Sequence, residues 1–317
     1  MLNEILKAIH QAESEGLLTD EKSDILSGYS GNMLMGSLQR LAALYEKDLE
    51  ACYLEVGVFQ GLTLLSVANS CPKLTCYGID NFSQFDPKGE NLGIVNYRAE
   101  KLGINNKVLI NEDYEDALES LDSHTNNQRV GLYFVDGPHD YRSQLMCLEL
   151  ALPYLHDRAT IIIDDCNYCH VRQANRDFLV THPEFKLVFE AYTNCHPGNM
   201  TAEKEDEARK GWWNGVNILA RDPENLLQTM YPPTGRSRSL YENEHITHAA
   251  KNSELAPQAL KVMQAFSDLN PVSLFKSVRS YYGRLGQLKN KGKLTGRFNA
   301  MNTYSENLTS SRYNTLS

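Results

Sequence analysis

The chain has no apolar run long enough to cross a bilayer; its most apolar stretches, such as Ile161-Ile162-Ile163 with their neighbours, are strand-length. A transmembrane segment is therefore not expected. Positive charge is also in short supply. With 31 Lys and Arg against 40 Asp and Glu, the formal net charge is −9, which argues against general nucleic-acid binding. No cysteine framework is visible either: the seven cysteines are odd in number and scattered, so reduced thiols are expected. Internal repeats are absent. The first ten residues lack a signal-peptide core and place Leu2, Ile5, Leu6 and Ile9 on one helical face. These absences together lead to the expectation of a cytoplasmic protein.

What is present is an ordinary globular composition. At 317 residues, 42% hydrophobic and 22% charged, the chain can form one large domain and an appendage. Its charge is uneven. From Ser273 onward there are eight Lys or Arg and one acid, Glu306, leaving 23 basic against 39 acidic residues before it. The Asn, Ser, Thr and Gly content of that basic tail fits a solvated, flexible segment, and contact with membrane lipid or an acidic partner is a second reading.

Periodicity divides the chain into three parts. Residues 1–50 read as a helical cover, with Leu34, Leu38, Leu41 and Tyr45 at helical spacing. Residues 51–222 change rhythm. Five short segments rich in β-branched or aromatic residues follow one another: Cys52 to Val56, Thr75 to Ile79, Lys107 to Asn111, Gly131 to Val135 and Ala159 to Ile163. Helical stretches lie between them, including Glu90 to Leu102 before Gly103, and one carrying Leu145, Leu148, Leu152 and Leu155. This alternation predicts an α/β fold with a mostly parallel sheet and right-handed crossovers. Phe185 to Tyr192 and Asn214 to Ala220 are predicted to add a terminal antiparallel hairpin. Residues 223–317 read as a helical, loop-rich extension ending in the basic tail.

In an open α/β sheet, ligands bind beyond the carboxyl ends of the strands. Acids gather there: Glu55 in the first strand, Asp80 after the second, Asp113 after the third, Asp136 after the fourth, and Asp164 and Asp165 after the fifth. Gly57 and Gly61 open the first strand-to-helix turn, where missing side chains allow a cofactor close to the backbone. The three-glycine nicotinamide spacing is absent, because Val58 and Phe59 interrupt it. Asp80 follows Gly57 by 23 residues, a distance suited to an acid that accepts hydrogen bonds from ribose hydroxyls. A simple tight turn for the glycines and helix capping for the acids are the plainer readings.

The pattern Glu55-x-Gly57-x-x-x-Gly61-x-Thr63, the strand end Gly78-Ile79-Asp80 and Glu112-Asp113 resemble the class I S-adenosylmethionine-dependent methyltransferases over about residues 51–220. The resemblance implies a Rossmann-like, seven-stranded, mostly parallel sheet. It also implies that Glu55, Gly57, Gly61 and Thr63 lie toward the methionine portion of the cofactor, Asp80 at the ribose and Asp113 near the adenine. Val135-Asp136-Gly137-Pro138-His139 followed by Ile163-Asp164-Asp165 is similar to the metal-dependent O-methyltransferases, the macrocin O-methyltransferase-like group above all. That branch implies Asp136, Asp164 and Asp165 as ligands of a divalent cation, Asp136 also beside the cofactor, and His139 as proton acceptor. Pro138 departs from the expected loop.

The chemistry supports such a site. Three carboxylates at adjacent strand ends repel one another unless a hard cation neutralises them, and oxygen ligands favour Mg²⁺. The implied activity is Mg²⁺-assisted O-methylation of a hydroxylated small molecule, glycosylated or phenolic, by S-adenosylmethionine, with Trp212 and Trp213 able to stack on the acceptor or simply to pack. A nicotinamide oxidoreductase and a non-catalytic scaffold are the alternatives. Neither a nucleic acid nor a membrane span is expected, and self-association as a homo-oligomer stays open. Cys166-x-x-Cys169-His170, with Cys195-His196 nearby, also matches haem-attachment or zinc spacing.

Overall fold

Each of the five β-rich segments forms a strand in the computed structural model, which describes residues 1–18, 24–234, 255–290, 308 and 311–316. They are β1 (Ala51–Val56), β2 (Cys76–Ile79), β3 (Lys107–Ile110), β4 (Arg129–Val135) and β5 (Leu155–Ile163). All five run parallel. β6 (Phe185–Ala191) and β7 (Val216–Arg221) form the predicted antiparallel pair, with β7 inserted between β5 and β6. The strand order is β3-β2-β1-β4-β5-β7-β6-β8, eight strands among the described residues where seven were expected. The additional one, β8 (Ser311–Tyr313), pairs with β6.

Helices cover both faces of the sheet, so its central strands are apolar on both sides. α1 (Leu2–Glu15), α2 (Asn32–Ala43), α3 (Leu62–Ser70) and α4 (Asn91–Leu102) pack on one face, against Tyr53, Phe134 and Ile162. On the other, α5 (Tyr114–Glu119), α6 (Leu121–Thr125), α7 (Tyr141–Ala151) and α8 (Cys169–Thr181) cover Leu54, Tyr133 and Ile161. The alternating sides of successive strand residues separate the two clusters. Leu34, Leu38, Leu41 and Tyr45 are buried, with the Tyr45 hydroxyl donating to the Arg158 carbonyl on β5 at 2.6 Å.

After β7 come two helices, Ala256–Ser267 and Pro271–Asn290, packed on one another. Most of the expected basic tail, residues 291–307, lies outside the described residues. Its far end is not free. Arg312 pairs with buried Glu190 on β6, Asn314 Nδ2 donates to the Leu187 carbonyl at 2.7 Å, and the Tyr313 ring stacks on His10.

Candidate active site

The sheet order reverses direction between β1 and β4, and the crevice at their carboxyl ends is where such folds hold ligands. Gly57 makes this crevice narrow. Its φ is +92°, and a Cβ there would lie 1.9 Å from the Asp136 carbonyl oxygen, so only glycine lets the ends of β1 and β4 approach this closely. Gly61 starts α3 in the left-handed conformation, φ +79°. Arg98 fastens the intervening loop by donating to the Gln60 carbonyl at 2.7 Å and to the Ser27 carbonyl at 3.0 Å.

Glu55 is fully buried and does not line the cavity. Its carboxyl accepts from the Tyr53 hydroxyl at 2.5 Å and from the Thr63 hydroxyl at 2.7 Å. Burial pushes its pKa up to about 8 despite these hydrogen bonds. Glu55 thus reaches the crevice through Thr63, which does line it.

Asp80 shapes the glycine loop. Its Oδ2 accepts from the Val58 and Phe59 amides at 2.9 and 2.8 Å, and its Oδ1 from the Phe82 amide at 2.7 Å. A carboxylate offers about four lone-pair positions, so one remains for a further donor. Asp113 caps α5 through the Glu115 amide and also lines the crevice.

The cavity has a volume of about 690 Å³ and extends from Asp80 and Asp113 past Gly57 to Asp136, Asp164 and Asp165. Near its far end Asp136, His139 and Asp165 each present a ligand atom within 4.8 Å of the others, the one such group among the described residues. The expected trio was Asp136, Asp164 and Asp165. Asp164 is adjacent, but one of its oxygens accepts the Asp165 amide at 2.8 Å. His139 Nε2 lies 2.6 Å from Asp165 Oδ2.

Asp165 is held in an uncommon conformation, φ +55°, which a non-glycine residue adopts at some expense. Asn214 Nδ2 donates to its Oδ1 at 2.6 Å. Burial alone would raise the Asp165 pKa; His139, His196 and Asn214 outweigh it and hold the carboxyl below its usual range. Asp136 and Asp164 go the other way. Burial and neighbouring carboxylates push both well above the ordinary aspartate value.

Several site residues are not apparent from the chain alone. Asn214 comes from the segment before β7 and is steadied by Asn167 Nδ2 at 2.9 Å. Tyr168 stacks on His139 with ring centroids 4.8 Å apart, and His196 meets Tyr168 edge-on. Tyr29 lies beside Phe59 and Trp213 at the cavity mouth. The two tryptophans divide: Trp213 lines the cavity, whereas Trp212 packs on Phe189 in the core. The cysteine motif has a structural role at Cys166, which is buried and donates to the Ile163 carbonyl.

A parallel sheet with a glycine turn at its switch point and acids at successive strand ends is an arrangement suited to holding a nucleotide-like cofactor. Residues 54–166 match the family model described as a methyltransferase domain. Over these residues the chain carries the sequence pattern of a methyltransferase domain. No curated protein sequence matches the chain. Among solved structures it is similar to the O-methyltransferase TomG of Streptomyces achromogenes in complex with SAM, at 15% identity, 69% coverage of this chain, 90% of that one and a TM-score of 0.44. It is also similar to the O-methyltransferase of Bacillus cereus in complex with SAH, at 13% identity, 69% and 90% coverage and a TM-score of 0.43. The SAH-bound Podospora anserina methyltransferase PaMTH1 is similar at 12% identity, 69% and 88% coverage and a TM-score of 0.41.

Proposed function

We propose that the protein transfers the methyl group of S-adenosylmethionine to a hydroxyl oxygen of a small molecule, with the help of Mg²⁺. The observation that carries this reading is the gathering of Asp136, His139 and Asp165 at one end of a cavity whose other end holds Asp80 and Asp113. One end offers acceptors for ribose and adenine; the other offers a charge partner and a base.

The residues fit both groups. Asp80 would bind a ribose hydroxyl with its remaining lone pair, Asp113 would lie near adenine, and Gly57, Gly61 and Thr63 would face the methionine part. Asp136, Asp164 and Asp165 would hold the cation, an all-oxygen set suited to Mg²⁺. Burial and mutual repulsion raise Asp136 and Asp164, and His139 with His196 offsets the negative charge chiefly at Asp165. When bound, the cation supplies positive charge that lowers the pKa of an acceptor hydroxyl.

When bound, the sulfonium of S-adenosylmethionine would supply the methyl group and keep the electron pair of the broken C–S bond, and the crevice would bring the acceptor oxygen to it. The hydroxyl proton passes to His139. Asp165 at Nε2 favours the tautomer protonated there, which leaves the lone pair on Nδ1. Tyr168 holds the imidazole plane by stacking. Tyr29, Phe59 and Trp213 give the cavity mouth flat apolar surfaces, which suit a phenolic ring or the face of a sugar. A cytoplasmic location remains part of this reading.

Incubation with labelled S-adenosylmethionine and a panel of hydroxylated acceptors tests it, with Mg²⁺ and with chelator. Label should pass to an acceptor in the presence of Mg²⁺ and fall by about 10²-fold or more in an Asp164→Asn/Asp165→Asn variant. Full activity in that variant would overturn the metal role and leave methyl transfer standing. A scaffold would bind the cofactor without any acceptor being labelled.

A further inference from the structure

The two helices after β7 carry a surface that methyl transfer does not use. Ala256–Ser267 and Pro271–Asn290 form a hairpin around a short turn. Its inner faces are filled by Ala265 and Leu288, both buried, and by half-buried Leu274, Val278, Tyr281 and Leu285. The outer faces are also apolar. Leu260, Met263 and Phe266 follow at helical spacing on the first helix, Leu269 stands in the turn, and Val272, Phe275 and Tyr282 continue along the second, each between 64 and 85% exposed.

Large apolar side chains exposed this densely mark a binding surface. The charge says what covers it. Residues 255–290 contain Lys261, Lys276, Arg279, Arg284 and Lys289 against one acid, Asp268, in a chain whose net charge is −9. Arg279 and Lys276 are exposed on the same side of the second helix as Phe275. The sequence beyond adds Lys291, Lys293 and Arg297 before the next acid, Glu306. No helix among the described residues is long and apolar enough to cross a membrane.

We propose that this hairpin is a membrane-surface anchor, which sinks the apolar residues around its turn into the acyl boundary of an anionic bilayer while its Lys and Arg side chains meet the headgroups. Apolar burial and attraction to anionic lipid are the two contributions that hold such interfacial helices. The aliphatic members, Leu260, Met263, Leu269 and Val272, favour lipid over single-stranded nucleic acid, whose bases stack on aromatic rings. A second copy of the chain would bring like charges face to face. This inference stands apart from the proposed reaction.

The test is co-sedimentation of the full chain with vesicles of phosphatidylcholine and phosphatidylglycerol, against vesicles of phosphatidylcholine alone. Binding is expected to the anionic vesicles and to weaken in high salt. Lys276→Gln/Arg279→Gln should lower it about thirtyfold, and Phe266→Ser/Leu269→Ser/Phe275→Ser should abolish it. Unchanged circular dichroism and cofactor affinity would show that both variants are folded. Failure of the wild type to bind either vesicle, or undiminished binding by the triple serine variant, would overturn the proposal. So would a lipid-free dimer, seen by sedimentation velocity and split by the serine substitutions, if the vesicles do not bind.

Discussion

At the scale of residues, the first strand sets a carboxyl against its surroundings. Glu55 lies fully buried between Tyr53 and Thr63 with its pKa pushed up to about 8 by desolvation, so near neutral pH it is mostly protonated. An acid whose folded-state pKa exceeds its unfolded value of 4.5 contributes fully below that value, and the contribution is lost as pH rises toward 8. Glu55→Gln keeps the shape and both hydroxyl partners and removes the ionisation. The variant should therefore resist urea better than the wild type above pH 8, by on the order of 4 kcal/mol, while the two converge below the unfolded value of 4.5. Denaturation curves across that range measure the difference directly. The sequence placed Glu55 at the crevice because of its neighbour Gly57, but strand alternation turns its side chain under α3, where Thr63 stands between it and the cavity.

At the scale of elements, the strand-to-helix junctions carry the chemistry, and they differ in how much of them could be read in advance. The parallel strands were legible because β-branched and apolar residues cluster wherever a sheet is covered on both faces, and β1, β2 and β3 lie within a residue of their predicted limits at each end. β8 was not, since Ser311–Tyr313 has no apolar pattern and exists through its pairing with β6. In the site, Asp136, Asp164 and Asp165 were legible as strand ends. The partnership of His139 with Asp165 in place of Asp164 depends on the left-handed backbone at Asp165 and on Asn214 from the far side of the β6–β7 connection, which no local spacing encodes. Asp80 shows the same interplay at β2. Two of its accepted amide hydrogen bonds, from Val58 and Phe59, fix the turn between β1 and α3, and the third, from Phe82, fixes the loop after β2. Asp80→Ala should release the Val58, Phe59 and Phe82 amides to faster hydrogen exchange and weaken S-adenosylmethionine at least tenfold by calorimetry, with a loss of about 2 kcal/mol in stability. Intact exchange protection together with weakened cofactor binding would show instead that Asp80 acts only on the ligand.

At the scale of the whole molecule, the fold gathers like charge where its strand order reverses, and the stability of the whole chain should register it. Asp136 and Asp164 have pKa values raised by burial and by neighbouring carboxylates, so ionising them opposes folding. This contribution is complete at low pH, below the unfolded carboxylate value, and is lost as pH rises through the raised folded values. A cation bound by the folded state alone reverses the loss by mass action, adding about 2.7 kcal/mol at a hundred times its dissociation constant. Asp136→Asn removes one carboxylate of the set and relieves the repulsion on the others. Without metal the variant should melt at a higher temperature than the wild type near pH 8, because it no longer has to ionise a desolvated group. With Mg²⁺ the order should reverse: the wild-type melting temperature climbs with cation concentration, while that of Asp136→Asn hardly moves. Calorimetric scans of both proteins over a Mg²⁺ series decide the matter. A wild-type melting temperature indifferent to Mg²⁺ would leave the nearby histidines, His139 first among them, as the partners of these acids.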